Sequence, residues 1–352
     1  MNLDSIPSID FHVSVIDNYG DMGFALNLAL SLHERYPSLR IRFFSDDSDL
    51  FRKFLMGNIP GWVEYMPLSA LDQENPPHPS ELICSFFDHP LPKVYLLKFP
   101  YPKTIVSFSY FLLHAGLESL HGTTYVLESG YDRVIHFVPS LLPGGGGIII
   151  NPEIERRMEK TRKSSVVEAR RDFLGGIGGD VCEKKWISVF VYPETLEKIL
   201  PAMLADTLDT VFWVCGGVGG ISETPNCRIL PFLPIEEYGV FQSLCDANIV
   251  RGENSLCQGI LSGKPVLWDI YKEKNGAHRE KIEDFIQWMT PYLRGNTDYI
   301  GIARDFMNTG SREIVERFIR KYSDFGEVFE KISEEVRGEC NLVRKLEKIL
   351  EK

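Results

Sequence analysis

Three things are scarce in this chain: basic residues in excess, long apolar runs, and cysteines set in pairs. Its 38 Lys and Arg are outnumbered by 49 Asp and Glu, for a formal charge of −11. Nonspecific nucleic-acid binding needs cations clustered against phosphate, so this balance argues against DNA or RNA as a partner. No apolar stretch nears the roughly 20 residues that cross a bilayer, and no membrane partner is expected. The opening text MNLDSIPSIDFHVSVID lacks the basic and apolar regions of a secretory signal, which points to a cytoplasmic protein. The seven cysteines (Cys84, Cys182, Cys215, Cys227, Cys245, Cys257 and Cys340) are single, odd in number and without a CxxC pair. They read as buried thiols in a reducing compartment, not as disulfides or zinc ligands.

What the chain has in quantity is core-forming text. With 352 residues and 44% hydrophobic composition, two domains are the natural expectation. A β-rich run, Asp10–Ile16, leads into the turn-prone loop Asp17-Asn-Tyr-Gly-Asp-Met-Gly23. Dense apolar helical text follows from Phe24 to Tyr36 and stops before Pro37, and a second strand runs over Leu39–Phe44. This is the opening of a parallel α/β sheet. Strand-like runs recur at Leu82–Phe87, Thr104–Phe108 and Val134–Val138. The stretches Asn75-Pro-Pro-His-Pro79 and Pro143-Gly-Gly-Gly-Gly147 read as loops. Beyond the glycine-rich break Gly175–Gly179 a second strand series begins: Trp186–Tyr192, Thr210–Cys215, Ala247–Val250 and Pro265–Asp269. The expected domains are 1–172 and 183–325, with a charged helical tail over 326–352. Two such halves suggest a cleft, with ligands at the carboxyl ends of parallel strands.

In the second half, Arg251-Gly-Glu-Asn-Ser255 follows a short apolar strand and precedes the helix-like Leu256–Leu261. Ser255 can cap that helix, whose open N–H groups and dipole suit a phosphate. Glu253 can accept from sugar hydroxyls, and Arg251 can offset diphosphate charge. The plainer alternative is a capped helix with a surface ion pair. Phe190 and Tyr192 sit two apart at a strand end, so they share one face: core, or the wall of a site. Phe232 and Tyr238 flank Pro234 in a loop, where they can stack a base or simply pack. The Val214–Gly220 glycine cluster lacks the GxGxxG register and its acidic partner, so it reads as a turn.

In the first half, Asp17 and Asp21 stand four apart across a strand end. Paired carboxylates there can orient and deprotonate a nucleophile or support a developing cation. The alternatives are an Asx-turn for Asp17 and a helix N-cap for Asp21.

On these motifs the chain resembles the EarP-type protein-arginine rhamnosyltransferases that modify bacterial translation elongation factor P. The likeness is densest at Val15–Gly23 and Ile249–Ser255, and extends to Phe190-Val-Tyr192, Gly263–Tyr271 and His278. It implies a GT-B glycosyltransferase fold, two Rossmann-like domains facing across a cleft. It also implies inverting, metal-independent transfer from dTDP-β-L-rhamnose to an arginine carried by the N-terminal domain of elongation factor P. The acceptor would dock on the N-terminal half and the donor would lie in the C-terminal half, with the helical tail packing back toward the first domain. Carried over by position, Asp17 and Asp21 match the family's essential aspartates, with Asp21 the preferred base. Asn18, Tyr19 and Gly20 belong to the same acceptor-side loop. Arg251, Gly252, Glu253, Asn254 and Ser255 match the donor motif. Phe190 and Tyr192 match the aromatics near the donor, and Phe232 and Tyr238 fall where thymine is held. The chain departs from the family at Asn254 (Asp), Asn27 (Arg) and Ile235 (Gln), and poorly matches the YLSAE-like segment over Ser107–His121. Two other readings stand beside this one: a GT-B transferase or sugar-nucleotide epimerase acting on a small molecule or glycan, and a catalytically silent sensor of sugar nucleotides.

Overall fold

Among the described residues of the computed structural model, twelve strands form two separate, predominantly parallel sheets. The structure describes residues 1–16, 18–87, 89–175, 179–205, 209–216, 222–272, 276, 278–293 and 297–351. The chain divides into two units: Met1–Pro152 with Glu339–Lys352, and Glu153–Gly338. Each has the Rossmann-like layout that alternating strand and helix text dictates.

The first unit holds β1 (Ser8–Val13), β2 (Arg40–Ser45), β3 (Val63–Pro67), β4 (Leu82–Phe86), β5 (Thr104–Phe108), β6 (Thr124–Val126) and β7 (Arg133–Phe137). Their order is β3-β2-β1-β4-β5-β7-β6, parallel throughout except for β6, which runs antiparallel to β7. β1 ends at Val13, three residues short of the sequence expectation, and the first helix starts early, at Asn18, running to Arg35. The turn-like motif is therefore the first turn of that helix. Met22, Leu26, Leu28, Ala29 and Leu32 are buried along it. Phe24 meets the rings of Phe86, Phe87 and Phe108 at 5.7–6.2 Å, locking the helix to one sheet face.

The opposite face buries charge. Asp10, fully covered, takes a bidentate pair of bonds from Arg42 (2.7 and 2.6 Å). It also accepts from the Ser80 N–H (2.8 Å), the Ser80 hydroxyl (2.7 Å) and the Tyr95 hydroxyl. A buried carboxylate persists only when its lone pairs are satisfied in this way. Next to it, His12 lies between the rings of Phe44 (5.0 Å) and Tyr95 (5.2 Å). Neither of its ring nitrogens has a partner among the described residues. Burial lowers its pKa from 6.5 to about 4.

The second unit holds β8 (Lys185–Val189), β9 (Thr210–Cys215), β10 (Cys227–Leu230), β11 (Ala247–Arg251) and β12 (Val266–Asp269), all parallel, in the order β10-β9-β8-β11-β12. β8 ends at Val189, so Phe190 and Tyr192 lie beyond the strand that was expected to carry them. Arg170 is 3% exposed and organises the underside of this sheet. It donates to the Leu244 and Lys184 carbonyls and to Asp246 (2.7 Å), and its guanidinium lies over Trp186.

Two expectations about boundaries are corrected. The first unit closes at Pro152, not 172, because the helices Pro152–Lys163 and Val166–Phe173 pack into the second unit, where Ile154 and Met158 join Val240. The tail also divides: residues 326–338 stay in the second unit and only Glu339–Lys352 returns to the first. There the Ile148 N–H donates to the Cys340 carbonyl (2.7 Å) and the Leu342 N–H to the Ile148 carbonyl (2.9 Å). The glycine run expected as a loose loop is packed at this junction. Gly147 has φ 78°, and a Cβ there would lie 2.3 Å from the Cys340 carbonyl oxygen. No helix among the described residues is long and apolar enough to cross a membrane. The seven cysteines are buried, as the sequence suggested.

His12 supplies a pH test. Its folded-state pKa is depressed, so its contribution is complete above about 6.5 and is lost as pH falls toward 4. The cost across that window is about 3 kcal/mol. Urea denaturation at pH 7 and pH 4.5 should show His12→Phe, which keeps the ring contacts, losing less stability on acidification than the parent. Equal acid losses in the two proteins would refute the assignment.

Candidate active site

β8, β11 and β12 are neighbours, and their carboxyl ends bring together the second-half motifs. Arg251 ends β11, with its guanidinium carbon 4.5 Å from the Phe190 ring centre and 5.1 Å from that of Tyr192. The two aromatics thus form one surface with Arg251, whose charge attracts their π faces. Phe190 also meets Tyr238 (5.9 Å), and Tyr192 meets Tyr271 (5.7 Å). Tyr238 lies on the helix Ile235–Leu244, not in a loop. Its hydroxyl is buried, and burial raises its pKa well above 10.0, against the opposing effect of a hydrogen bond with the Ser255 side chain. Phe232 is half-buried in the connection before that helix.

The helix after β11 begins earlier than expected and spans Glu253–Leu261, with Gly252 as its N-cap. Ser255 therefore sits in the first turn and does not cap it. Gly252 adopts φ 68° and ψ 164°, a region open essentially to glycine alone. This turn directs the helix so that the first-turn N–H groups of Glu253, Asn254 and Ser255 have no acceptor one turn back. Together with the helix dipole they make an anion-binding terminus. Glu253 is paired with Lys281 at 3.3 Å, each side chain about one-third exposed, so a sugar ligand would compete with that partner.

One residue that sequence reasoning missed ties these pieces together. Asp269 ends β12 as the register partner of Arg251 and is 1% exposed. One carboxylate oxygen accepts the Tyr192 N–H (2.8 Å), and the other accepts the Thr195 hydroxyl (3.0 Å). Burial raises its pKa, against those hydrogen bonds. Asp269 therefore fixes the turn that carries Phe190 and Tyr192 off β8. The available signal was an acidic residue closing an otherwise apolar strand, Val266–Asp269, inside the segment already singled out.

In the first unit, Asp21 is 2% exposed in the first turn of the helix Asn18–Arg35 and accepts the Ile16 N–H at 2.8 Å. Its role as a simple N-cap is thus excluded: it reaches back past the helix start. Tyr19 accepts from Lys53 Nζ (2.7 Å) and packs on Phe54 (6.0 Å). Gly20 lies in the same turn. Asp17 and the Asn18 side chain fall outside the described residues, as do 217–220 of the glycine cluster. Asn27, where the resembled family carries Arg, is fully buried and accepts from Asn151 Nδ2 (3.0 Å). Ile235 opens its helix and packs against Ile154, Met158 and Val240. Both departures are thereby absorbed into packing.

Residues 9–351 match the family model described as Elongation-Factor P (EF-P) rhamnosyltransferase EarP. A protein-arginine rhamnosyltransferase of Pseudomonas putida is 28% identical over 79% of this chain and 80% of its own. One of Pseudomonas aeruginosa is 25% identical over 80% and 81%. A solved structure concerned with EarP-mediated arginine glycosylation of translation elongation factor EF-P covers 98% of both chains, with 20% identity and a TM-score of 0.61. The shared architecture is the GT-B glycosyltransferase fold.

Removing the Asp269 carboxylate tests its anchoring role. Asp269→Ala strands a buried N–H and a hydroxyl, at about 1–3 kcal/mol, while Asp269→Asn keeps an acceptor and should lose less. Equal losses for both variants in urea denaturation would count against the anchor.

Proposed function

This chain belongs to the EarP family, and from that membership we propose that it transfers L-rhamnose from dTDP-β-L-rhamnose to an arginine side chain of translation elongation factor P. The observation that carries the donor half of this reading is the convergence of an open helix terminus, Arg251 and two aromatic rings at adjacent strand ends. A nucleoside diphosphate sugar offers what each can hold: phosphates for the N–H groups and Arg251, a base and sugar for the aromatic surfaces, and hydroxyls for Glu253. Phe232 and Tyr238 are the candidates for the thymine. The leaving diphosphate is stabilised by the N–H groups around Asn254 and Ser255 and by Arg251, with no metal required for charge balance at that point.

The acceptor half is harder chemistry. A guanidinium has a pKa above about 12 and delocalised lone pairs, so it is a poor nucleophile. A carboxylate cannot strip it of a proton beforehand. Asp21 instead holds it by a charge-assisted hydrogen bond and takes the proton as the N–C1 bond forms and the C1–O bond to diphosphate breaks. The Ile16 N–H supports this role by fixing the carboxylate's orientation. Asp17 orients the same guanidinium or supports the oxocarbenium-like sugar. A single displacement on a β-L donor yields an α-linked product.

Intact mass of elongation factor P, after incubation with enzyme and dTDP-β-L-rhamnose, should rise by one deoxyhexose. Donor hydrolysis with unchanged acceptor mass would overturn the acceptor assignment. Asp21→Asn should abolish transfer while calorimetry still detects donor binding, and undiminished turnover removes Asp21 as base. Ser255→Ala should weaken donor binding by about tenfold, the value of one lost bond to a charged group.

A further inference from the structure

The first unit contains a pocket of about 510 Å³ lined by none of the candidate active-site residues. It arises from a mismatch between sheet and cover. On the face opposite the helix Asn18–Arg35, the register row Ile83–Ile105–Val134 is apolar and is covered by Tyr95 and Leu96. The next row on that face, two residues along each strand, is Ser85–Ser107–His136. The covering helix, Lys93–Leu97, is only five residues long and does not extend over it. A polar floor is left open beneath walls formed by the 89–97 segment and the 125–132 connection.

The charged groups at the rim are already engaged. Asp132 is paired with the buried Lys103 (3.1 Å) and accepts from the Ser129 hydroxyl (3.0 Å). Glu128 pairs with Lys93 at 3.4 Å. The Ser85 hydroxyl donates to the His89 carbonyl (2.8 Å), which holds the His89 loop against the floor. What remains uncommitted is the Ser107 hydroxyl and the imidazoles of His89 and His136. None of these three side chains has a hydrogen-bond partner among the described residues, and all line the pocket. Tyr125, half-exposed, lies 5.4 Å from the His136 ring, and the remaining wall is largely leucine and isoleucine.

We propose that this pocket binds a small monocarboxylate with a flat or branched apolar body. The Ser107 hydroxyl and the His136 imidazole, neighbours in one register row, and the His89 imidazole all line the pocket and suit a carboxylate, because a hydrogen bond to an ionised acceptor is about twice as strong as a neutral one. The leucine-lined walls suit a hydrocarbon body, and the volume lies in the range of small-molecule sites. Among the described residues a cation finds no free carboxylate here. A diphosphate finds no free lysine or arginine. None of the candidate active-site residues lines the pocket.

The test follows the histidine ring C–H signals of the full chain by NMR during titration with sodium benzoate and sodium 2-naphthoate. Saturable shifts confined to His89 and His136 are expected, with naphthoate the tighter and 2-naphthamide at least several-fold weaker. Ser107→Ala, a mild change, should weaken naphthoate by about tenfold, and His136→Ala by a similar factor. Thermal unfolding of each variant confirms that it is folded. Absent saturation, equal affinity for the amide, or unchanged affinity in both variants overturns the site. Displacement of naphthoate by elongation factor P also overturns it, by reassigning the pocket to protein docking. These outcomes are independent of whether rhamnose transfer occurs.

Discussion

One guanidinium packed on two aromatic rings organises the second unit. Arg251 can meet Phe190 and Tyr192 because β8 and β11 are adjacent parallel strands and β11 runs on past Ile249, the partner of the last β8 residue Val189, to Arg251. Parallel pairing forces every strand's carboxyl end, and every loop that follows, to one edge of the sheet. Asp269, on the next strand, secures the arrangement through the Tyr192 N–H. The cost is a buried carboxylate, tolerated because both of its oxygens accept hydrogen bonds. The φ of Gly252 then turns the chain so that the following helix presents its N-terminus at that same edge.

The first unit meets a similar constraint with different chemistry. Asp10 and Arg42 occupy register-paired positions on β1 and β2, and Ser80 and Tyr95 complete the coordination of the carboxylate. This network fixes the face of the sheet on which the short helix Lys93–Leu97 lies, and so fixes where its coverage stops. The open polar row beyond it is a direct consequence. On the other face, phenylalanine packing seats the helix whose first turn carries Asp21.

Much of this was legible from residue patterns. Thr104–Phe108 and Thr210–Cys215 were recovered with their bounds intact, because β-branched and aromatic runs flanked by turn residues have few alternatives. β3, β6 and β10 were missed: each is short and lies at or beside a sheet edge, with half-polar text that periodicity does not flag. Both functional helices started earlier than their apolar text, at Asn18 and Glu253. Their first turns carry polar residues outside the apolar text, and so they read as loop. Asp269 escaped notice because its value lies in partners 77 and 74 residues away.

Residue order alone determined the two α/β halves, the buried thiols and the motifs that carry the family likeness, since each depends on local pattern or on short contiguous words. Tertiary structure decided which of those residues meet. It decided that Tyr192 leans on Arg251, that Glu253 is held by Lys281, and that Gly147 must admit the returning tail. Such contacts depend on strand order and register, which are set by the packing of whole sheets and are written in no single segment of the chain.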